Sequence, residues 1–546
     1  MKAKKLLALL MALAMLATLA ACGESEKAES PSTSANPSAS TSTSETPAGT
    51  SSTPGGTEST APGSEAPPAA STRDTLNVAA MQDSGTLHPL GITGGFVGIN
   101  YTFYEPLFDY NPDGSRIWIL ATGMDYVSDI NYTLHIREGI KFSNGKPMTA
   151  EDVMFSMELC KDNPQFSLNV KVVDFEKTKV TGEYTIDLWY TVFNASQEPG
   201  MTQLMIMCKD GYDELALSLE PIGTGPYVVD EYVVNSHLYL KAREDYWGGA
   251  PAIKNLNFKV INEEAQRVNA LQTHDIDMSA IPLKDVDFIK SLGYDVVTSN
   301  GGYNFVTLFS CLEDAPLGSK EARWAVCHAI DRQTIADILY YGMSEVTNWP
   351  CSNFCVDYEP RFENMHDTYT IGYDIAKAKE LAEQSGLVGK TLRIITNGSS
   401  DHVTAAEIIQ SGLNQIGVKV EILNYDQATY FPMMMDASNF EIAMFTPGAP
   451  SAMAIDILAM YLTFIPLGWT GPIRDLYGEV SMGAISTVDL KQRNDKLYET
   501  VEIFVENCPW YGICEVMSAR ARASDLRGAE GSLAGIVYYQ DAYFVQ

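Results

Sequence analysis

Residues 132–153 read YTLHIREGIKFSNGKPMTAEDV and carry the clearest local pattern in the chain. Apolar and polar residues alternate over Tyr132–Arg137, which predicts a strand, and Gly139–Phe142 predicts a second short strand. Ser143–Lys146 is typical of a hairpin turn. Thr149–Asp152 has the form of a capping box, which begins a helix. The segment therefore predicts β-structure that passes directly into a helix.

Strands and helices also alternate outside this segment. Ala405–Ile416 has helical periodicity, Gly417 ends it, and Val418–Leu423 alternates like a strand. This order is typical of α/β crossovers. The chain after residue 73 is long and contains no second long linker. Its size predicts two or three intertwined lobes with mixed α/β sheets.

The first 21 residues have the pattern of an export signal. Three lysines precede the apolar run Leu6–Leu19, and two alanines follow it. The run is shorter than the roughly 20 residues that span a bilayer comfortably. Residues 1–21 are therefore predicted to be a cleaved signal peptide.

Leu19-Ala20-Ala21-Cys22 resembles a bacterial lipoprotein box. In proteins with that box the cysteine is acylated and becomes the new N-terminus. Two or more acyl chains hold a protein to a membrane stably. The resemblance implies an exported protein, lipid-anchored to the outer face of the cytoplasmic membrane. The alternative is an ordinary signal peptide that happens to contain a cysteine.

Residues 22–73 have the composition of a disordered tether. After Cys22 the segment is dominated by Ser, Thr, Pro, Ala, Gly and Glu and has no Val, Ile, Leu, Phe, Tyr or Trp. Such a segment cannot bury enough apolar surface to offset its ordering entropy. As a random coil it would extend about 40 Å r.m.s.. Glycosylation of its Ser and Thr residues is left open.

The charge balance excludes some classes of partner. Asp and Glu number 69 against 37 Lys and Arg, a net charge of −32. This acidic balance argues against nucleic acid as a partner, because nucleic-acid binding needs a basic face. It also disfavours attraction to anionic lipid head groups, which attract basic surfaces. After the signal, the sequence has no run of 18 apolar residues that would predict a membrane span.

The chain has nine cysteines, and Cys22 is assigned to lipid. Two close pairs could form disulfides in an exported protein. The alternative is that they are free buried thiols, since other cysteines lie in helical patterns with apolar neighbours. The close pairs are Cys351 with Cys355 and Cys508 with Cys514, and the helical ones are Cys160 and Cys327.

Several motifs together resemble family 5 of the extracellular solute-binding proteins, which includes oligopeptide, dipeptide and nickel receptors. The longest match is residues 132–153. The others are Tyr104–Phe108, Pro112–Gly114, Gly223–Tyr227, Asp245–Gly249, Arg323–Arg332, Tyr373–Lys379, Gln410–Val420 and Pro509. His274–Asp277 is a looser match, because the family often has Gly-Glu-Ile-Asp there. The resemblance covers residues 74–546.

The resemblance implies a two-lobed periplasmic-binding-protein type II fold with a hinge, an inserted domain and mixed α/β sheets. Lobe I would comprise residues 74–105, 223–300 and 517–546. The inserted domain would be residues 106–222, and lobe II residues 301–516. Two segments that cross between the lobes would act as the hinge.

The resemblance also implies a function. The chain would be the substrate-binding lipoprotein of an ABC importer, a monomer that delivers its ligand to permease and ATPase subunits in the membrane. No cofactor and no nucleic acid are expected. Peptides rank first as ligands. The alternatives are a nickel or other metal complex, haem, an opine or an oligosaccharide.

Positions that match the family's cleft give the candidate ligand contacts. They are Thr93, Gly94, Gly95 and Phe96 in the first lobe, Tyr303 and Asn304 at the hinge, and Phe445, Thr446, Pro447 and Gly448 in the second lobe. Each has a structural alternative, since glycine pairs also make turns and aromatic residues also fill cores.

One position departs from the family's pattern. Peptide-binding relatives usually place an Asp in the loop after the second-lobe strand, where it pairs with the ligand's α-ammonium, because a buried ammonium needs a partner. Here Thr446–Met453 contains no carboxylate. The first acid is Asp456, which is predicted to lie in a helix. Either Asp456 takes that role, or the ligand lacks a free amine there.

Two other function classes have weaker support in the sequence. The seven histidines are scattered, and HExxH, GxSxG and phosphate-loop motifs are missing from the sequence, so an enzyme is not expected. Cys351, Cys355 and His366 give a weak zinc-type spacing, which leaves a metal receptor as an alternative.

Overall fold

The computed structural model describes residues 72–91, 94–111, 115–163, 166–362, 365, 369, 371–447, 453–463, 467–531 and 536–546. The predicted signal peptide, Cys22 and nearly all of the tether lie outside these residues. So do three other residues singled out in the sequence, Thr93, His366 and Gly448. In the described part, every helix is too short or too polar to cross a lipid bilayer.

Eighteen strands are described. They are β1 (Thr75–Ala80), β2 (Phe108–Tyr110), β3 (Arg116–Trp118), β4 (Ala121–Ser128), β5 (Asn131–Ile136), β6 (Lys179–Gly182), β7 (Thr185–Trp189), β8 (Tyr227–Val233), β9 (His237–Ala242), β10 (Asn255–Val260), β11 (Met278–Ile281), β12 (Tyr294–Phe309), β13 (Thr391–Thr396), β14 (Lys419–Asn424), β15 (Ile442–Phe445), β16 (Trp510–Ala523), β17 (Leu526–Arg527) and β18 (Tyr543–Phe544).

Helices alternate with these strands along most of the chain. They are α1 (Ala150–Asp162), α2 (Gln197–Met201), α3 (Glu214–Leu217), α4 (Glu264–Gln272), α5 (Val286–Ser291), α6 (Lys320–Ala329), α7 (Arg332–Tyr340), α8 (Ile375–Gln384), α9 (Ser400–Gln415), α10 (Gln427–Met434), α11 (Ala454–Thr463), α12 (Pro472–Ile485) and α13 (Leu490–Asn507). Short 3-10 turns lie at Gly94–Thr102, Ser167–Val170, Leu283–Asp285, Pro360–Phe362, Ala437–Asn439 and Tyr539–Asp541.

Ten of the strands form one mixed sheet. Its order is β14-β13-β15-β12-β16-β11-β1-β10-β9-β8, and a separate four-stranded sheet has the order β4-β5-β7-β6. The predicted strand over Tyr132–Arg137 is confirmed as β5, and the capping box is present, since Asp152 accepts the Thr149 N–H at 2.9 Å. The predicted mixed α/β architecture is therefore confirmed.

The predicted strand at Gly139–Phe142 is wrong. The structure has only an isolated bridge between Lys141 and Pro147. The bridge is flanked by two backbone hydrogen bonds, from Phe142 N to the Lys146 carbonyl and from Met148 N to the Ile140 carbonyl, and the chain turns on either side of it. Gly139 has a φ of +81°, which turns the chain just before the bridge.

The middle of the sheet is made by two long antiparallel strands. β12 and β16 pair from Tyr294 opposite Ala523 to Leu308 opposite Trp510, and the register shifts between Asn300 and Asn304. Gly302 lies in this break with a φ of +80°, a conformation that glycine adopts without steric cost. The two halves of each long strand are thus joined through an irregular segment.

Buried apolar side chains form four clusters. Two of them come from one continuous stretch of sequence each, and two combine several stretches. One draws only on residues 305–514 and another only on residues 107–208. The other two combine residues 76–104 and 227–294 with C-terminal residues 519–544, and the first of these also takes Met205 and Met207. The predicted lobe boundaries stay a prediction.

The eight described cysteines are all buried and free. Cys508 and Cys514 cannot pair, because six residues of largely extended chain separate them by about 20 Å, and disulfides need Cα atoms within about 7 Å. Instead, Cys508 Sγ lies 3.3 Å from Cys327 Sγ. The alternative of free buried thiols therefore describes this part of the chain.

Arg73 fixes the start of the described body. Its guanidinium forms ion pairs with Asp277 and with Asp525, the latter at 2.9 Å. It also lies 3.8 Å from the centre of the Phe544 ring. The chain just before β1 is thus held by the C-terminal segment and by the residue that precedes β11.

Candidate functional site

The site is built where three parallel strands end. β13 is parallel to β14 and to β15, so their carboxyl ends lie at one edge. β12 is antiparallel to β15, with Val306 opposite Phe445, and its second half begins at the same edge. In open α/β sheets, ligands bind beyond the carboxyl ends of the strands. The loops at this edge are therefore the candidate ligand surface of the second lobe.

Asn304 and Phe445, both predicted from the sequence, lie on neighbouring strands at this edge. Asn304 is fully buried, and its amide donates to the Pro350 carbonyl at 3.0 Å. Its Oδ1 atom is buried with no partner among the described residues. Phe445 is 4% exposed and packs in the core. Asn304 thus has an unused acceptor, whereas Phe445 is mainly structural.

The remaining predicted residues divide into described and undescribed groups. Tyr303 and Thr446 are half-buried, and Pro447 is buried beside Phe445. Burial raises the pKa of Tyr303, so its phenol stays neutral. The backbone of Gly94, Gly95 and Phe96 begins a 3-10 turn. Thr93 and Gly448 lie outside the described residues.

Glu515, which the sequence analysis missed, stands at the strand break. It lies opposite Asn304 on β16 and is 3% exposed. Its carboxylate accepts hydrogen bonds from the Asn300 amide, from Ser352 Oγ at 2.7 Å and from Asn353 N at 2.8 Å. Burial raises its pKa despite these donors. The break is therefore stabilised by a buried carboxylate that connects both long strands to the loop at Ser352.

His402 was also missed as a site candidate. Ser399 begins α9 just after β13, and this places the His402 ring 5.2 Å from the ring of Phe305 and 6.1 Å from that of Tyr430. Burial lowers the pKa of His402 to about 3, so the imidazole is neutral. Its Nδ1 atom has no partner among the described residues. The N-cap Ser399 after a buried strand was the available signal.

The start of α11 is held by a distant carboxylate. Asp357 accepts the Ala454 N–H at 2.6 Å and the Ile455 N–H at 3.1 Å. Desolvation raises the pKa of Asp357 to about 6. Asp456 lies in the first turn of this helix, as predicted from the sequence. Its Oδ1 atom is 3.9 Å from Lys171 Nζ.

In the described part of the chain, residues of the predicted inserted domain therefore contact the predicted second lobe. Besides the Lys171–Asp456 contact, Ala195 N donates to the Ile485 carbonyl at the end of α12, at 2.9 Å. Lys171 Nζ also donates to Ser196 Oγ at 3.3 Å, next to Ala195. The same corner of the inserted segment thus supplies both contacts.

A metal centre has no support in the described part of the chain. No group of three or more His, Cys, Asp or Glu side chains is placed there to hold an ion. Cys351 and Cys355 are buried thiols whose pKa values are raised by desolvation, and His366 lies outside the described residues.

Comparison with known proteins gives consistent matches. The family model described as "Bacterial extracellular solute-binding proteins, family 5 Middle" matches residues 119–463. The nickel-binding periplasmic protein of Escherichia coli K12 is 26% identical over 405 residues, covering 70% of this chain and 77% of the relative.

Solved structures have the same fold. The ABC transporter substrate-binding protein CtaP of Listeria monocytogenes superposes with a TM-score of 0.76 at 21% identity, covering 87% of this chain and all of that one. DppA of Helicobacter pylori, in complex with the peptide STSA, has a TM-score of 0.69 at 21% identity, with 86% and 98% coverage. The predicted two-lobed fold class is confirmed.

Proposed function

Because the chain belongs to the bacterial extracellular solute-binding proteins of family 5, we propose that it captures an extracellular solute between two closing lobes and delivers it to a membrane permease. The importer would supply the ATPase subunits, and the receptor would act as a monomer. Binding without chemical change is the expected activity.

The observation that carries this proposal is the interrupted pair of long strands. β12 and β16 run through the middle of the ten-stranded sheet, and their register breaks near Asn300. The break separates one buried cluster of residues 305–514 from the clusters of the other lobe. A hinge needs a few residues that can absorb backbone rotation between two packed bodies. The segment around Gly302 has that character.

Peptides are the first ligand class that we propose. An extended peptide binds by main-chain hydrogen bonds and leaves its side chains in hydrated pockets. Solved structures with this fold include DppA of Helicobacter pylori in complex with a peptide. The buried Oδ1 of Asn304 is a side-chain acceptor at the candidate edge that could take a main-chain N–H of a peptide.

A nickel complex is the second candidate, because the Escherichia coli relative named as nickel-binding is 26% identical over most of its length. In this chain the ion would arrive with its own small-molecule ligands, since the described residues provide no group of three metal-binding side chains.

Anchoring at the cell surface completes the proposal. Cys22 would carry the lipid, and residues 23–73 would hold the receptor away from the membrane while its cleft searches for solute. The lipoprotein box and the composition of that segment support this arrangement.

Direct capture tests the function. The full-length protein is equilibrated separately with a tryptic peptide digest and with nickel plus histidine, and the bound compounds are identified by mass spectrometry. Peptide retention with one-to-one stoichiometry supports the first proposal, and retained nickel supports the second. Hydrolysis of the captured peptides would contradict the proposal of a receptor.

A further inference from the structure

We infer that Cys327 and Cys508 form a disulfide when the second lobe folds in the presence of a disulfide oxidant. The bond would join α6 to the end of α13, just before the chain enters β16. Spacing in the sequence indicated other pairs, Cys351 with Cys355 and Cys508 with Cys514. The inference concerns the body of the protein and does not depend on which solute the cleft binds.

The two sulfur atoms are already in contact in the folded chain. Cys327 lies in α6, Cys508 directly follows α13, and their Sγ atoms are 3.3 Å apart. A disulfide bond is about 2.05 Å long, so the sulfurs need to approach each other by little more than about 1 Å. Cys327 is fully buried and Cys508 is 2% exposed. Each thiol therefore faces the other inside the lobe.

Neighbouring contacts hold the two segments in the alignment that the bond needs. Lys320 Nζ lies 2.8 Å from Glu506 Oε1. Arg323 Nε donates to the Asn507 carbonyl at 2.9 Å. Positions 320, 323 and 327 share one face of α6, and they contact positions 506, 507 and 508 in the same order. Closing the bond should therefore need side-chain rotation and no shift of α6 along the end of α13.

The backbone at Cys508 indicates that its side chain is needed there. Cys508 ends α13 with a φ of +46° and a ψ of +56°, the left-handed conformation that helices commonly reach through glycine. A residue with a Cβ atom is strained in this conformation, and such strain often marks a functional position. Contact with Cys327 gives this position a use that glycine could not supply.

The bond would form by thiol–disulfide exchange. One cysteine thiolate attacks the oxidant's disulfide, which gives a mixed disulfide and releases one oxidant thiolate. The second cysteine then attacks the protein sulfur of the mixed disulfide and releases the other thiolate. The protein dithiol thus loses two electrons and two protons, and one oxidant disulfide becomes two thiols. The proposed export would bring the chain to a compartment where such oxidants persist.

Burial places this exchange before the lobe has closed over the pair. Desolvation and the hydrogen bond to Cys508 raise the pKa of Cys327 well above its ordinary value. Exchange needs a thiolate with access to the oxidant, and the folded dithiol provides neither. Oxidised glutathione should therefore close the bond at least tenfold more slowly in the folded, reduced protein than during refolding.

Refolding in a glutathione buffer tests the inference. The full-length protein is reduced and unfolded in urea, then refolded with reduced and oxidised glutathione, and its remaining thiols are blocked with N-ethylmaleimide in urea. Trypsin releases residues 324–332, which contain Cys327, and residues 497–520, which contain Cys508 and Cys514. Chymotrypsin, which cleaves after Tyr511, then separates the last two cysteines. Mass spectrometry should find Cys327 linked to Cys508 in most of the protein. Blocked thiols at both positions, or another partner for Cys327, would overturn the inference.

Thermal unfolding measures what the bond contributes. It would close a loop whose ends are 181 positions apart, and long loops gain most from closure in the chain-entropy model. A reductant should lower the melting temperature of the oxidised wild type by about 5 °C and leave that of Cys327→Ala and Cys508→Ala unchanged. Cys311→Ala is the matched control, because Cys311 is a buried thiol of the same lobe whose Sγ lies 3.4 Å from the Phe309 carbonyl oxygen. It should keep both the bond and the shift, and an equal shift in the Cys327 variant would contradict the inference.

Protein recovered from cells, with its thiols blocked at lysis, separates this inference from the proposed function. A 327–508 bond in both the refolded and the cellular protein would support the inference together with the proposed export. A bond in the refolded protein and free thiols in the cellular protein would support the inference and contradict the proposed export.

Discussion

Asp357 shows how a single side chain joins distant parts of the second lobe. Its carboxylate caps α11 although 97 positions separate it from Ala454. Its side chain is half-buried, and desolvation raises the pKa of Asp357 to about 6 against an ordinary value of 3.8. The two backbone N–H donors offset only part of this cost, because a buried charge is more expensive than the hydrogen bonds that it gains.

The stability of the protein should therefore depend on pH through Asp357. Between the unfolded pKa of 3.8 and the folded pKa of about 6, the folded chain binds more protons than the unfolded chain. The contribution of this group is complete below pH 4 and is lost as the pH rises through 6. From pH 4.5 to 7 the loss is about 2 kcal/mol.

Asp357→Asn keeps an acceptor oxygen and removes the titration. Between pH 4.5 and pH 7, the free energy of unfolding of the wild type should therefore fall by about 2 kcal/mol more than that of this variant. Urea denaturation at both pH values measures this. Asp374→Asn alters another helix cap, whose aspartate accepts Lys377 N at 2.9 Å, and serves as the control. Equal pH dependence in the wild-type protein and the Asp357 variant would contradict the prediction.

Local rules predict the caps that lie next to their helices. The capping box at Thr149–Asp152 was identified in this way, and Asp152 accepts the Thr149 N–H as expected. Asp357 could not be identified, because capping rules concern only neighbouring residues. Glu515 is similar, since its donors at Asn300 and Ser352 are 215 and 163 positions away. Sequence reasoning thus finds local partners and misses those that folding brings together.

At the scale of elements, the break in β12 controls how the two long strands cross. Gly302 has a φ of +80°, and its N–H donates to Asn300 Oδ1 at 2.6 Å. A Cβ atom added there would meet nothing within 4 Å. The cost of a side chain at this position would therefore come from the backbone conformation and not from a collision.

Gly302→Ala should lower the free energy of unfolding by about 1–2 kcal/mol, because L-residues pay this amount in the left-handed region. Chemical denaturation gives the value. Gly123→Ala is the control, since Gly123 in β4 also has open space at its Cβ position and no positive φ. A Gly302 variant as stable as the control would show that the break relaxes to an ordinary bulge.

Helix packing contains a requirement that the periodic pattern of α9 does not reveal. Gly412 lies inside this helix, and a Cβ atom there would be 2.0 Å from the Ala329 carbonyl oxygen. The apolar spacing over Ala405–Ile416 predicted this helix correctly. The close approach of the helix to the end of α6, however, depends on tertiary structure. A glycine within a helix was therefore a signal of close packing.

At the scale of the whole molecule, the proposed function requires the lobes to move. Saturating the protein with the ligand found by the capture experiment should reduce its radius of gyration, because the lobes close around bound solute. Small-angle X-ray scattering measures the change. A tightly bound ligand that leaves the radius unchanged would contradict a hinged cleft.

Membrane attachment should depend on one residue. Cys22→Ala removes the acylation site, so the protein should move from the membrane fraction to the soluble fraction of cells that export it. Cell fractionation with immunoblotting measures the distribution. Ser30→Ala, farther along the same segment, should leave it unchanged. Retention of the Cys22 variant in the membrane fraction would show that the lipoprotein prediction is wrong.

The whole-molecule architecture was predictable because the motif over residues 132–153 and its companions resemble a family with a known fold. The contact between Lys171 and Asp456 was not predictable, since it joins segments that only the packed structure brings together. All of the candidate ligand contacts, Thr93 and Gly448 among them, stay predictions. Fold-level inference therefore reached the architecture but not the individual contacts between distant segments.

The clamp at Arg73 has a mechanical consequence. A drag force on a tethered receptor would enter the body at this residue and pull along β1. That strand is bonded on both sides by parallel neighbours, β10 and β11. A pull along the strand axis loads the evenly spaced, slanted hydrogen bonds of these parallel pairs together, whereas peeling an edge strand breaks them one after another. The tether that we propose would thus join the body at a strand that is held on both sides, so that several hydrogen bonds share the load.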